Sequence, residues 1–113
     1  MLKTNSTTPF LDVVSECVVN FASLWTESSE AYKDSKMSDA EYNELERIYI
    51  EFTDRVCELS TDELSPNNFM RALNNLTKDS QILANTIYTH SVFDLLADTY
   101  VELAEINLCR TDA

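Results

Sequence analysis

The side chains of this chain that could act as metal ligands, bases or nucleophiles are few. His90 is the only histidine, and no cysteine lies within four residues of it, so the local spacing of a zinc site is absent. Carboxylate-bridged metal centres in bundles use a Glu-x-x-His pair, but Ile87 stands three residues before His90. Ser91, next to His90, is more typical of a helix cap than of a nucleophile. These patterns predict no metal site and no catalytic site.

The three cysteines, Cys17, Cys57 and Cys109, form an odd set with no CxxC pair. Each lies in an apolar segment, where a reduced thiol behaves as a small hydrophobic side chain. No cluster of lysines stands beside them to lower a thiol pKa, so we expect inert thiols. An odd, dispersed set predicts a reducing, cytoplasmic setting.

Glycine is absent from the sequence. This absence excludes the glycine-rich loops that bind nucleotide phosphates, including the P-loop and the dinucleotide fingerprint. The 20 acidic residues offer many chance carboxylate pairs, and spacing singles out none of them for acid and base catalysis. The sequence therefore predicts a protein that is not an enzyme and has no cofactor.

The formal net charge of -12 over 113 residues restricts the choice of partner. Such a charge repels nucleic acid and anionic lipid, and it speeds the encounter with basic proteins. No segment approaches the roughly 18 uncharged apolar residues of a membrane-spanning helix, and the first residues do not resemble a signal peptide. We therefore expect a basic protein surface as partner, and neither direct nucleic-acid binding nor a membrane.

Length and composition predict a single domain over residues 1–113, with loose ends at about 1–7 and 110–113. Hydrophobic residues make up 44% of the chain, enough for one core. Without glycine for hairpin turns, helices joined by short polar connections are favoured. The predicted fold is all-α, a compact antiparallel bundle of four helices. Whether the chain forms a fifth helix stays open.

The first helix is predicted over residues 9–32, because apolar residues recur there at intervals of three and four. Thr8 stands as its N-cap before Pro9. The apolar positions of this helix form a broad sector, which indicates a central helix that contacts neighbours on two sides. They are Phe10, Leu11, Val13, Val14, Cys17, Val18, Phe21, Leu24 and Trp25.

The second helix is predicted to start at Ser38, which forms a capping box with Glu41. A heptad seam follows, made of Tyr42, Leu45, Tyr49, Phe52, Val56 and Leu59. Its length of about 2.5 heptads is short of a dedicated coiled coil. The seam therefore predicts a helix packed in the bundle, with a homodimer seam as the alternative.

The chain after residue 60 is predicted to form at least two helices. Ser65 is the expected N-cap of the third helix, with Leu64 packing on Phe69 as a hydrophobic staple. Cap and turn formers in residues 74–81 predict a break or bend. Ser91 and Asp94 are also able to cap a new helix, so whether residues 66–109 form two helices or three stays open.

The segment 38–63 combines the seam with an excess of acid. Residues 27–63 contain twelve acids and four bases, a net charge of -8. The side opposite the seam is expected to carry the pairs Glu44 with Arg47 and Glu51 with Arg55, along with Asp54 and Glu58. A third flank carries Asp39, Asn43, Glu46, Ile50 and Cys57. Apolar groups among acids on a nominally exposed strip are typical of a contact surface.

Two functions are compatible with these features. The first is a small acidic binding protein that docks on a basic surface of a partner and inhibits or regulates it. Its physical type is that of anti-restriction and anti-CRISPR nucleic-acid mimics and of immunity proteins. The predicted contact residues are Asp39, Glu46, Ile50, Glu51, Asp54, Glu58, Asp62 and Glu63. The second is a helical adaptor, chaperone or dimerisation module that uses the apolar seam, with the acids serving only solubility.

Overall fold

The computed structural model describes residues 8–78 and 86–112, and the side chains of 9–78 and 86–107. This part of the chain forms four α-helices and no strand: α1 (Thr8–Lys33), α2 (Asp39–Ser60), α3 (Pro66–Lys78) and α4 (Ile87–Asp112). The predicted all-α helical bundle is confirmed. The prediction for the first helix, residues 9–32, differs from α1 by one residue at each end.

The four helices pack in a closed ring, in which α1 contacts α2 and α4, and α3 contacts the same two helices. The connections of residues 34–38 and 61–65 are too short to cross the bundle, so they make consecutive helices antiparallel. The bundle measures 52 × 22 × 22 Å. Its core contains Phe10, Val14, Cys17, Phe21, Met37, Leu45, Ile48, Phe52, Leu59, Phe69, Met70, Leu73, Leu76, Val92, Leu96 and Leu103.

Serine caps start two of the helices as predicted. The Ser38 hydroxyl accepts a hydrogen bond from the Glu41 amide at 3.1 Å, and the Ser65 hydroxyl accepts one from the Asn68 amide at 3.2 Å. Both bonds satisfy backbone donors of a first helical turn. The half-buried Leu64 packs against the core cluster that contains Phe69, as expected of the staple.

The turns after α1 and α2 use a left-handed backbone without glycine. Ser35 has φ of 61° and Asp62 has φ of 64°, the region that glycine occupies most readily. Backbone bonds hold both turns, from the Ser35 amide to the Tyr32 carbonyl at 3.0 Å and from the Asp62 amide to the Leu59 carbonyl at 3.3 Å. The local backbone bonds thus offset the steric cost of a non-glycine residue in each turn.

The interruption that the sequence left open at Ser91 and Asp94 does not occur. Helix α4 begins at Ile87 and continues through both residues. Its cap is Thr86, whose hydroxyl accepts the Thr89 amide at 3.3 Å. Since Thr86 already satisfies the first turn, Ser91 is an interior helical residue.

Helix α3 continues through Asn74 and Asn75 to Lys78, so the predicted bend does not begin at these asparagines. Both asparagine side chains are exposed. The remainder of that predicted bend, and the helicity predicted at Ile82 and Leu83, lie outside the described residues.

Candidate functional site

The buried face of α2 differs in part from the predicted seam. Leu45, Phe52 and Leu59 are buried as predicted, and Glu41 and Ile48 are buried with them. The other three seam residues, Tyr42, Tyr49 and Val56, are half-buried. The core therefore lies nearer to Ile48 than the heptad pattern indicates, because α2 must contact α3 as well as α1. The solvent-exposed side of α2 therefore also differs from the side opposite the predicted seam.

Most of the residues predicted to lie opposite the seam are half-buried, and one of them contacts α3. The half-buried residues are Glu44, Arg47, Glu51, Arg55 and Glu58. Arg47 Nη2 donates to the Leu76 carbonyl oxygen of α3 at 3.5 Å. Asp54 of the same set is exposed.

Arg47 binds two carboxylates on this flank. Its Nε lies 2.9 Å from Glu44 Oε1, its Nη2 lies 2.7 Å from Glu44 Oε2, and its Nη1 pairs with Glu51. The hydrogen bond to Glu44, followed by the contact with Glu51, raises the pKa of the Arg47 guanidinium. The predicted Glu44–Arg47 pair is confirmed. The same arginine also neutralises the charge of Glu51.

The predicted pair Glu51–Arg55 is wrong. Arg55 Nε lies 2.8 Å from Glu58 Oε1, three residues further along α2. Arg47 stands between Glu44 and Glu51 on the same flank, so its forked guanidinium reaches both. Two of the predicted contact residues, Glu51 and Glu58, are therefore already paired within the chain.

The solvent-facing side of α2 is the third flank of the sequence analysis with Asp54 added. We call it the α2 solvent face, and its residues, Asp39, Asn43, Glu46, Ile50, Asp54 and Cys57, are all exposed. Ile50 keeps 51% of its surface exposed, and Glu46 and Asp54 stand one turn before and after it. Among the described residues, neither of these two acids forms an ion pair. The face thus presents an aliphatic side chain between uncompensated carboxylates.

The eight predicted contact residues fall into three groups. Asp39, Glu46, Ile50 and Asp54 lie on the α2 solvent face. Glu51 and Glu58 are half-buried and paired with Arg47 and Arg55. Asp62 and Glu63 are exposed in the turn that follows α2, where the Glu63 amide donates to the Glu58 carbonyl at 2.8 Å. The structure therefore brings four of the eight onto one continuous surface.

Aromatic rings from α1 and α2 interleave along one edge of this surface. We call the set the aromatic ladder: Phe21, Trp25 and Tyr32 from α1, with Tyr42, Tyr49 and Phe52 from α2. The Tyr42 ring is stacked between Tyr32, at 4.1 Å and 5°, and Trp25, at 5.1 Å and 18°. Trp25 also stacks on Tyr49 at 5.3 Å. Such stacking adds to the burial energy and holds the two helices in a fixed register.

Asp39 joins the aromatic ladder to the α2 solvent face. The Tyr32 hydroxyl donates to Asp39 Oδ1 at 2.6 Å, and this hydrogen bond raises the pKa of Tyr32. From the sequence, Phe21, Trp25, Tyr42, Tyr49 and Phe52 were predicted only as apolar positions of two helices. The seven-residue repeats of Trp25 with Tyr32 and of Tyr42 with Tyr49 are the signal that could have predicted the ladder.

Glu41 is a buried carboxylate, with 2% of its surface exposed. Its Oε2 accepts hydrogen bonds from the Thr86 amide at 3.1 Å, from the Thr86 hydroxyl at 2.9 Å and from the Thr89 hydroxyl. It lies at the first turns of both α2 and α4, where a negative charge is stabilised. From the sequence, Glu41 was predicted only as part of the capping box. Its link between two helices was not predicted.

The described residues offer no centre for metal or thiol chemistry. No group of three or more His, Cys, Asp or Glu among them could hold a metal ion. Burial raises the pKa of the Cys17 thiol, against the opposing hydrogen bond with Thr99, which agrees with an inert thiol. Cys57 is exposed on the α2 solvent face, and the side chain of Cys109 lies outside the described residues.

Within the described residues, no helix is both long enough and apolar enough to cross a membrane. Comparison of the chain with protein-family models, with curated proteins and with solved structures finds no significant match. The α2 solvent face is therefore interpreted from its own chemistry.

Proposed function

We propose that this protein is a small acidic binding protein that docks its α2 solvent face on a basic surface of a partner protein and thereby inhibits or regulates it. The observation that carries the proposal is the exposed Ile50 between Glu46 and Asp54. An aliphatic centre surrounded by charge is the usual anatomy of an interface, in which the apolar contact gives affinity and the charges give orientation.

The charge distribution of α2 supports this choice of face. Both arginines of the helix are paired within α2, Arg47 with Glu44 and Glu51 and Arg55 with Glu58. Glu46 and Asp54 are left without a described cation, although a pair within one turn would stabilise the helix. Lysine or arginine side chains of a partner would supply the missing charge.

The spacing of the exposed carboxylates favours contact with separate basic side chains. Asp39, Glu46 and Asp54 recur every seven or eight residues, roughly 11 Å along the helix axis. Phosphates of one B-DNA strand follow at about 3.4 Å along the duplex axis. A nucleic-acid mimic built on this face would therefore occupy a few basic positions of a groove, and Asp62 and Glu63 would extend its reach.

The alternative, an adaptor or dimerisation module that uses the apolar seam, has less support. Leu45, Phe52 and Leu59 are buried inside the chain's own bundle. Tyr42 and Tyr49 stack on Trp25 of α1. A second helix could use this seam only after these contacts were broken, whereas Ile50 is exposed without any rearrangement.

The proposal is tested by capturing the partner from lysate of the native host and then measuring the affinity of the purified pair. The variant Glu46→Lys/Asp54→Lys reverses two charges on the α2 solvent face. The matched control Asp94→Lys/Asp98→Lys makes the same change at two exposed acids of α4. We expect the first variant to weaken binding at least tenfold more than the control, and binding by the native chain to weaken as salt rises.

A second pair of variants tests the apolar centre. Ile50→Asp is expected to abolish binding, while Val101→Asp, at a comparably exposed valine of α4, leaves it unchanged. Equal losses in the two charge-reversal variants, or affinity independent of salt, would contradict the proposal. If the partner binds nucleic acid, competition between that nucleic acid and this protein indicates a nucleic-acid mimic. A complex that contains the partner, the nucleic acid and this protein together indicates binding at another surface of the partner.

A further inference from the structure

A groove of about 540 Å³ lies between α3 and α4, on the side of the bundle opposite the α1/α2 pair. Its described lining is Asn67, Met70, Arg71 and Asn74 from α3, with Tyr100, Ala104 and Asn107 from α4. The groove is broadly open to solvent, so a ligand bound there would stay partly exposed. Four of the seven lining residues are polar, and Met70, Tyr100 and Ala104 supply the apolar surface.

The groove follows the two antiparallel helices. At one end, Asn107 Nδ2 donates to Asn67 Oδ1 at 2.6 Å and lies 3.4 Å from Met70 Sδ. Each wall has residues three and four apart, which lie on one side of a helix. Near the middle, Ala104 has no side chain beyond its Cβ, so it leaves open the space beside Arg71.

Arg71 is the one charged residue in the named lining of the groove. Helix α3 carries Arg71 and Lys78 and no acidic residue, although the chain has 20 acids. Arg47 and Arg55 of α2 are ion-paired, but Arg71 forms no ion pair with any described residue. Its guanidinium therefore keeps its bidentate donor capacity for a ligand.

None of the exposed acids of α4, Asp94, Asp98, Glu102 and Glu105, is among the named lining residues of the groove. Asp98 stands two residues before Tyr100, and Glu102 stands two residues before Ala104. Residues two apart on a helix point to different sides. The lining named above consequently contains no carboxylate that competes for Arg71.

We propose that the α3/α4 groove binds a small organic carboxylate with an apolar body. Arg71 binds the carboxylate, Met70 and Tyr100 contact the body, and the side-chain amides of Asn67 and Asn74 bind its polar substituents. At physiological salt the repulsion from distant surface acids is screened beyond roughly 8 Å, so the local cation decides the preference. This site is separate from the α2 solvent face and does not depend on the proposed function.

The test is a titration of the ¹⁵N-labelled protein at neutral pH with 4-phenylbutyrate and, separately, with its uncharged analogue 4-phenylbutanamide. The carboxylate is expected to give saturable chemical-shift changes at residues of the groove, with at least tenfold higher affinity than the amide. Arg71→Gln is expected to remove this preference. The control Lys78→Gln, at the other cation of α3, is expected to retain it.

The spectrum of each variant without probe shows whether the bundle is unchanged, so a loss of binding can be assigned to the side chain. Equal affinity for the acid and the amide overturns the proposal. Shifts that do not saturate, shifts centred outside α3 and α4, or equal losses in Arg71→Gln and Lys78→Gln also overturn it. Arg71→Lys keeps the charge without the forked geometry, and an affinity between those of the native chain and Arg71→Gln supports bidentate binding.

Discussion

Glu41 in the first turn of α2 accepts a hydrogen bond from Thr89 in the first turn of α4, a residue 48 positions later in the chain. The same carboxylate oxygen accepts the Thr86 amide and hydroxyl. One buried acid therefore links the starts of two helices that, in the ring of four, each pack against α1 and α3.

Glu41→Ala is expected to lower the free energy of unfolding by about 3 kcal/mol, since it leaves buried donors of α4 without an acceptor. Glu41→Gln keeps one acceptor oxygen and is expected to lose less. Urea unfolding followed by circular dichroism measures both changes. Glu46→Ala, at an exposed acid of the same helix, is the control and is expected to stay within about 0.5 kcal/mol of the native chain. Equal effects at the two positions would contradict the structural role of Glu41.

The start of α4 is tested by removing one hydroxyl at a time. Thr86→Ala is expected to destabilise the bundle by about 1–2 kcal/mol, because Thr86 both caps α4 and donates to Glu41. Ser91→Ala replaces a residue inside the helix with the best helix former, so a change below about 0.5 kcal/mol is expected. Thermal or urea unfolding compares the two variants. A larger loss at Ser91 would restore the helix start that the sequence left open there.

Tyr32 is expected to ionise at a higher pH than an ordinary tyrosine, near 10, because its hydroxyl donates to Asp39. The pKa is raised in the folded state, so the stability that this bond contributes is present below the unfolded pKa and is lost as pH rises through the folded value. Absorbance titration at 295 nm of the native chain and of the variants measures the ionisation of Tyr32. Asp39→Asn should move it toward 10, whereas Asp54→Asn, with the same change of charge, should not. An unchanged titration in Asp39→Asn would contradict the assignment.

The two described thiols should differ in reactivity. Cys17 is buried and its pKa is raised, whereas Cys57 is exposed on the α2 solvent face. In a Cys109→Ser background, a thiol reagent such as dithionitrobenzoate is expected to modify Cys57 within seconds to minutes and Cys17 only after unfolding. Cys57→Ser supplies the control, in which the native protein should show no fast phase. A fast phase that survives in this control would place Cys17 at the surface.

Local signals in the sequence were sufficient for much of the fold. Apolar residues at intervals of three and four identified α1 and α2, and the serines at 38 and 65 marked two helix starts. These features act within one or two helical turns, so no tertiary contact is needed to interpret them. The same locality explains why a helix start at Ser91 stayed open, since Ser91 and Thr86 are both competent caps.

The candidate surface was predicted only in part. Ile50 and Cys57 were predicted on an exposed flank of α2, and both are exposed there. Glu51 and Glu58, which the predicted contact set also includes, are half-buried and ion-paired. A heptad pattern predicts the buried side of a helix that packs against one main neighbour. Helix α2 packs against two helices, α1 and α3. The orientation of α2 therefore depended on contacts with residues far away in the chain.

The sequence by itself determined that this protein is an acidic all-α bundle, because charge, helix periodicity and the absence of glycine depend on composition and near neighbours alone. Among the described residues, the tertiary structure decided that Glu46 and Asp54 form no ion pair, that Arg71 forms none in the α3/α4 groove and that the Glu41 carboxylate is buried. Each of these properties depends on the distance between side chains from different helices. The packing of the whole bundle sets such distances, and the order of residues along any one helix does not.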